Sequence, residues 1–162
     1  AAESKLLMLR DFIEFLYSTG ARYSEAMNLL REDVDFDKKV GTFRDTKNGE
    51  DRTIPLADNV LVILKRYPFG KTFFRVTSYD SFKYHFDLAC KRAAIEDFRA
   101  HDLRACFITN ALLSGMSESS VAAISGHKDF RSMKRYTRIK AQDLLEDVNN
   151  ISVIRERKKI NS

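Results

Sequence analysis

One turn signal, Lys47–Asn48–Gly49 set between two short β-prone runs, constrains this chain more than any other feature. Val40 to Thr46 and Arg52 to Leu56 read as strands, and the turn residues between them close a β-hairpin with Lys47 near its tip. Pro55 belongs at the end of the second strand, where a missing N–H does least harm to the ladder. Almost everything else carries the three-to-four spacing of helices. Leu6, Leu9, Ile13 and Leu16 form one apolar stripe, which should stop at Ser18–Thr19–Gly20. Ala26, Leu29 and Leu30 resume the spacing, with Ser24 as the expected N-cap and Arg22 in the short connection. Further helices are expected over Asp58 to Tyr67, over Ser78 to Ala94 with Ser78 or Asp80 as cap, over Asp102 to Leu113, and from Ser117 to Gly126. Thr72 to Val76 is a short apolar run without a clear period. A short helix around Arg131 to Tyr136 and another from Ala141 to Val148 complete the pattern. The fold class that follows is mainly α with a small antiparallel β-hairpin or sheet, an α+β domain.

At 162 residues and 44% hydrophobic content the chain can bury one core and is short for two. Residues 1–150 read as one domain, and residues 151–162, with the charge run Arg155–Glu156–Arg157–Lys158–Lys159, as a basic tail, flexible unless it meets a partner. No run approaches the roughly 20 apolar residues of a membrane span, and Ala1–Ala2–Glu3–Ser4 lacks the order of a signal peptide. A soluble, cytoplasmic protein is the expectation, with Cys90 and Cys106 as reduced, partly buried thiols. A start without methionine that runs directly into a helical pattern is expected of a piece of a longer protein. The net charge of +5 is unevenly spread: ten Lys/Arg face five Asp/Glu from Lys91 to Lys140, and the remainder holds eighteen of each. Such a window suits phosphate binding, although charge alone favours an ordinary solvated face.

Five separate motifs then fall in one order. Thr19–Gly20–Ala21–Arg22–Tyr23–Ser24–Glu25, the hairpin Thr46–Lys47–Asn48–Gly49 with Arg52–Thr53–Ile54–Pro55–Leu56 behind it, His101–Asp102–Leu103–Arg104, Ser125–Gly126–His127, and Tyr136–Thr137 nine residues beyond that histidine together resemble the tyrosine recombinase family. The likeness runs from Thr19 to Thr137. It implies the catalytic-domain fold of that family and a set of six site residues, Arg22, Lys47, His101, Arg104, His127 and Tyr136. It further implies cleavage and rejoining of DNA through a covalent 3′-phosphotyrosine, without metal, ATP or other cofactor. The expected partners are double-stranded DNA and further copies of the chain, joined in a synaptic tetramer through the C-terminal segment, together with accessory DNA-bending proteins. A separate N-terminal core-binding domain, absent from this chain, would complete the clamp on the duplex.

The residue types suit that chemistry on their own terms. Charge builds on the non-bridging oxygens as a phosphodiester is attacked, and Arg22 and Arg104 can each give two parallel hydrogen bonds without losing charge. The Tyr136 phenol, with an ordinary pKa of about 10, needs positive neighbours and a base to attack. His101 can take its proton, His127 can donate to the phosphate, and Lys47 can protonate the leaving 5′-oxygen. Taken singly, each residue has an ordinary structural explanation; their joint order is what carries the reading. Three departures stand out. Ala105–Cys106 follows Arg104 where relatives often have another histidine, Glu50 and Asp51 make the hairpin acidic, and Ser125 replaces a usual leucine, a change expected to act on packing alone. Two other functions share parts of the pattern. A type IB topoisomerase-like enzyme uses the same nucleophile without exchanging partners, and a catalytically silent DNA-binding accessory protein would have no physical need for Tyr136 and both arginines.

Overall fold

The computed structural model describes residues 2–44, 46, 49–75 and 78–127. Helix α1 (Ala2–Thr19) ends where expected, because Gly20 takes φ +63 and its N–H closes on Leu16 O at 3.0 Å. Helix α2 (Tyr23–Asn28) begins one residue before the serine expected to cap it. The N-cap position is Arg22, whose backbone N–H donates to the Glu25 carboxylate at 2.8 Å. A carboxylate three residues into the helix satisfies that N–H as the second half of a capping box, so Ser24 is not needed as a cap.

A 3₁₀ turn (Arg31–Asp33) leads to β1 (Val34–Asp35), β2 (Val40–Phe43) and β3 (Arg52–Pro55), an antiparallel sheet in that order. The expected hairpin is β2–β3, with Val40 opposite Pro55 and Phe43 opposite Arg52. Both strands are shorter than the sequence pattern implied, and β1 is an addition. Gly41, Phe43 and Ile54 turn inward, while Thr42 and Thr53 face each other on the outer side with hydroxyls 2.8 Å apart. Of the connection, Thr46 is held by its hydroxyl on Glu50 O, and Lys47 lies outside the described residues.

Helix α3 (Asp58–Lys65) follows, then α4 (Tyr79–Arg92), capped by Ser78 rather than Asp80: the Ser78 hydroxyl accepts from Ser81 N. The Thr72–Val76 run forms no strand in its described part; Thr72 makes one bridge to Leu30, and Phe73 and Phe74 plug the core. Helices α5 (Asp102–Leu113) and α6 (Glu118–Ser125) match expectation, with Ser117 capping α6 and Gly126 closing it at φ +72. The expected helices at Arg131 to Tyr136 and Ala141 to Val148 lie outside the described residues.

The core is aromatic at its centre. Phe12 meets Phe74 and Phe82 edge-on at 5.0 and 5.2 Å, and Phe15, Phe43 and Ile54 are fully enclosed around them. Helix α5 lies along α1, and α6 rests on both α5 and β3. That stacking brings the end of α1, the start of α5 and the end of α6 to one place. Gly20 sits in it under a tight constraint, since a Cβ there would lie 2.3 Å from the Phe107 ring. Gly20→Ala should therefore lose about 2–4 kcal/mol from left-handed strain and overpacking together. A melting temperature lower by roughly 5–15 °C is the expected reading.

Candidate functional site

The end of α1 presents Arg22. Thr19, buried, donates its hydroxyl to Phe15 O and accepts from Ala21 N, which fixes the turn that aims the next residues outward. Arg22 Nη1 then donates to Glu25 at 2.7 Å and Nη2 lies 3.4 Å from Gly126 O. Its side chain stays about one-fifth exposed. Arg104, on the first turns of α5, is only 4% exposed. It donates to Gly20 O at 2.6 Å and to Ser125 O, and its Nη2 reaches His127 Nδ1 at 3.3 Å. One guanidinium therefore clamps the C-terminal ends of α1 and α6.

His101 stands exposed at the N-cap position of α5, and Asp102 beside it accepts from Arg99 N at 2.7 Å. A cleft of about 330 Å³ joins these groups: Arg22, His101 and Arg104 line it with Ser24, Tyr23, Tyr79 and Phe82. Tyr23 and Tyr79 meet edge-on at 5.1 Å in its wall, and burial, followed by the charge of Tyr79, keeps the Tyr23 phenol above its ordinary pKa. Arg22, His101 and Arg104 share this cleft and His127 joins them through Arg104, so four of the six expected residues come together from three separate stretches of chain. Lys47 and Tyr136 lie outside the described residues, as do Lys128, Arg131, Lys134, Arg135, Arg138 and Lys140 of the basic window. Glu50 and Asp51 are exposed on the hairpin, and Cys90 and Cys106 are free, partly buried thiols. Among the described residues no three His, Cys, Asp or Glu side chains gather as a metal ion would require.

Two residues that motif reading did not single out hold this arrangement. The Glu25 carboxylate, 6% exposed, receives Arg52 Nη1 at 3.0 Å and Nη2 at 2.6 Å in addition to the Arg22 contacts. Arg52 in turn lies over the Phe43 ring and against Gly126, where a Cβ would fall 2.1 Å from Nη1. The hairpin and the end of α6 are thereby tied to the carboxylate that steadies Arg22. Burial pushes the Glu25 pKa up, but the hydrogen bonds and charges of Arg52 and Arg22 outweigh it and hold the group below its ordinary value. A depressed folded-state pKa gives stability that is present above the ordinary carboxylate range near 4.3 and is lost as pH falls through the folded value. Glu25→Ala strands Arg52 as a buried cation and should cost about 3–5 kcal/mol at pH 7 by chemical denaturation. The gap between wild type and Glu25→Gln should close as pH drops below about 4.

Ser125 departs from expectation as well. It is fully buried, but its role is not packing alone: Oγ lies 2.6 Å from Val121 O and 2.8 Å from His127 Nδ1.

Comparison with known proteins adds kinship to this geometry. A family model described as the phage integrase family matches residues 1–143. The tyrosine recombinase XerA of Saccharolobus solfataricus is 32% identical over 136 residues, covering 82% of this chain and 46% of that protein. The shufflon-specific DNA recombinase of Escherichia coli is also 32% identical, over 149 residues that make up 90% of this chain and 38% of that one. The chain spans about half the length of the curated relatives it matches. Among solved structures, the catalytic domain of bacteriophage HP1 integrase superposes with a TM-score of 0.66 at 27% identity, over 86% of this chain and 79% of that one. The Tn1549 transposon integrase in complex with circular intermediate DNA superposes with a TM-score of 0.72 at 20% identity, over 87% of this chain and 57% of that one.

Proposed function

The chain belongs to the phage integrase family, and on that premise we propose that it is the catalytic domain of a site-specific DNA recombinase that cuts and rejoins strands through a 3′-phosphotyrosine on Tyr136. The observation that carries the proposal is the meeting of Arg22 and Arg104 at one cleft, with His101 and His127 beside them. Two guanidiniums that cannot be deprotonated, facing one opening, suit a phosphodiester whose charge rises in the transition state. Double-stranded DNA is accordingly the proposed substrate, in keeping with the DNA complex of the Tn1549 integrase.

Within that reading Arg22 and Arg104 bind the non-bridging oxygens, and His127 donates to them. His101, exposed at the cleft, accepts the phenolic proton, and Lys47 protonates the leaving 5′-oxygen. The energy of the broken phosphodiester is kept in the tyrosyl ester, so the released 5′-hydroxyl can reverse the step without ATP, metal or other cofactor. Residues 1–150 form the catalytic unit and 151–162 a basic tail. A core-binding domain on another part of the protein, a synaptic tetramer built through the C-terminal segment, accessory DNA-bending proteins and a cytoplasmic, DNA-associated setting complete the proposal. Among the described residues no helix is long and apolar enough to cross a membrane.

The test is a suicide substrate: a duplex nicked next to the target bond, so that the short 5′-hydroxyl fragment diffuses away and religation stops. The protein should run on a denaturing gel as a slower, DNA-linked species, and adding a second duplex with a free 5′-hydroxyl should release it by strand joining. Cleavage that leaves a free phosphate and no protein-linked DNA would overturn the proposal in favour of a hydrolytic nuclease.

A further inference from the structure

We propose that Ser125 is a positioning residue that, together with Arg104, holds His127 with Nδ1 as an acceptor, so that the neutral imidazole carries its proton on Nε2; this rests on the phosphate-donor role given to His127 above. The His127 Nδ1 atom has Arg104 Nη2 at 3.3 Å and Ser125 Oγ at 2.8 Å. A guanidinium has donors and no acceptor, so the nitrogen it faces must offer a lone pair. A hydroxyl can do either, and it rotates to suit. With Nδ1 unprotonated, Ser125 turns its hydrogen to that nitrogen, and the neutral ring carries its one proton on Nε2.

The competing arrangement sends the Ser125 hydrogen one turn back along α6, to Val121 O at 2.6 Å. Nδ1 would then need a proton of its own to meet the hydroxyl oxygen, and that proton would lie against the permanently charged Arg104. The Ser125 hydrogen is therefore shared between Val121 O and Nδ1, and the facing Arg104 disfavours a proton on that nitrogen. Ser125 is also well placed to hold the ring in orientation. Its side chain is fully buried at the last residue of α6, its own carbonyl accepts from Arg104, and Gly126 between it and His127 is fixed in the left-handed region at φ +72. One residue therefore supplies an acceptor to the arginine and a donor to the histidine. Leucine, usual at this position in the family resemblance, could aim the ring by packing but offers Nδ1 no donor.

The experiment is long-range ¹H–¹⁵N correlation of the imidazoles in the 162-residue chain, which has three histidines, with His127 assigned through His127→Gln. The expected wild-type result is a protonated Nε2 and an Nδ1 resonance shifted by hydrogen-bond acceptance. In Ser125→Ala, Nδ1 should move toward its unbonded position. Single-turnover cleavage should fall about five- to tenfold, the worth of one neutral hydrogen bond, with DNA affinity unchanged. A wild-type His127 protonated on Nδ1, or an Nδ1 resonance indifferent to Ser125→Ala, overturns the inference. Should Ser125→Ala fail to fold, Ser125→Cys, a weaker donor of similar size, takes its place, and an Nδ1 resonance unchanged by it overturns the inference equally. Because the nitrogen spectrum needs no DNA, it also decides if the wild-type protein forms no adduct and the recombinase reading fails.

Discussion

Tyr136→Phe should bind a nicked duplex as the wild-type chain does and form no denaturation-resistant adduct. The substitution removes one oxygen, the atom that would bond to phosphorus, and leaves an aromatic ring of nearly the same shape. Loss of a nucleophile with binding intact lowers the chemical step alone, here by at least roughly a thousandfold. Gel shift and denaturing gel on the same samples separate the two effects. An adduct that survived would move the nucleophile elsewhere and undo the central assignment, while a parallel loss of binding would make Tyr136 a structural residue.

Arg104→Lys carries the second large effect, and the structure says why charge conservation will not rescue it. The guanidinium serves Gly20 O and Ser125 O while reaching His127, three directions fixed by one planar group. An ammonium is a compact point charge on a flexible stem and cannot hold both helix ends and still face the cleft. Adduct formation should fall at least about a hundredfold, in the range lost when one transition-state donor is removed. Stability should drop by about 1–3 kcal/mol as a buried carbonyl loses its donor. Single-turnover cleavage and thermal denaturation measure the two parts. Cleavage at the wild-type rate would show that Arg104 is only a clamp between helices.

Much of this was legible before any coordinates. Gly20 and Gly126 marked helix ends because each occupies a left-handed position that a side chain resists, and Lys47–Asn48–Gly49 marked the hairpin because few residues make that turn. The limits were physical too. Strand β1 has two residues and no room for a period. Ser24 was preferred as a cap on residue type, when the operative group was a carboxylate one residue further on. Arg52 read as an ordinary strand residue near an exposed turn; its partner Glu25 is 27 residues away, and no local pattern connects them. Ser125 read as a substitution for an apolar residue, since a hydroxyl's partners depend on which helix end meets which arginine. Motif order could indicate that Arg22, His101, Arg104 and His127 belong together, but not that the backbone carbonyls of residues 20, 125 and 126 are what the arginines rest on.

Gly126 gives that last point a wider consequence. The missing side chain there is an opening filled by the Arg52 guanidinium, so the position works as a keyhole whose shape is set by what passes through it. A methyl group at 126 would push Arg52 off Glu25, and Glu25 is the support on which Arg22 leans. The damage would reach Arg22 through three links, in addition to the direct contact of its Nη2 with the Gly126 carbonyl at 3.4 Å. Inactivity caused at this position would then report a broken mechanical train, and restoring the glycine's emptiness, by shortening Arg52 in the same molecule, would relieve the collision without repairing the train.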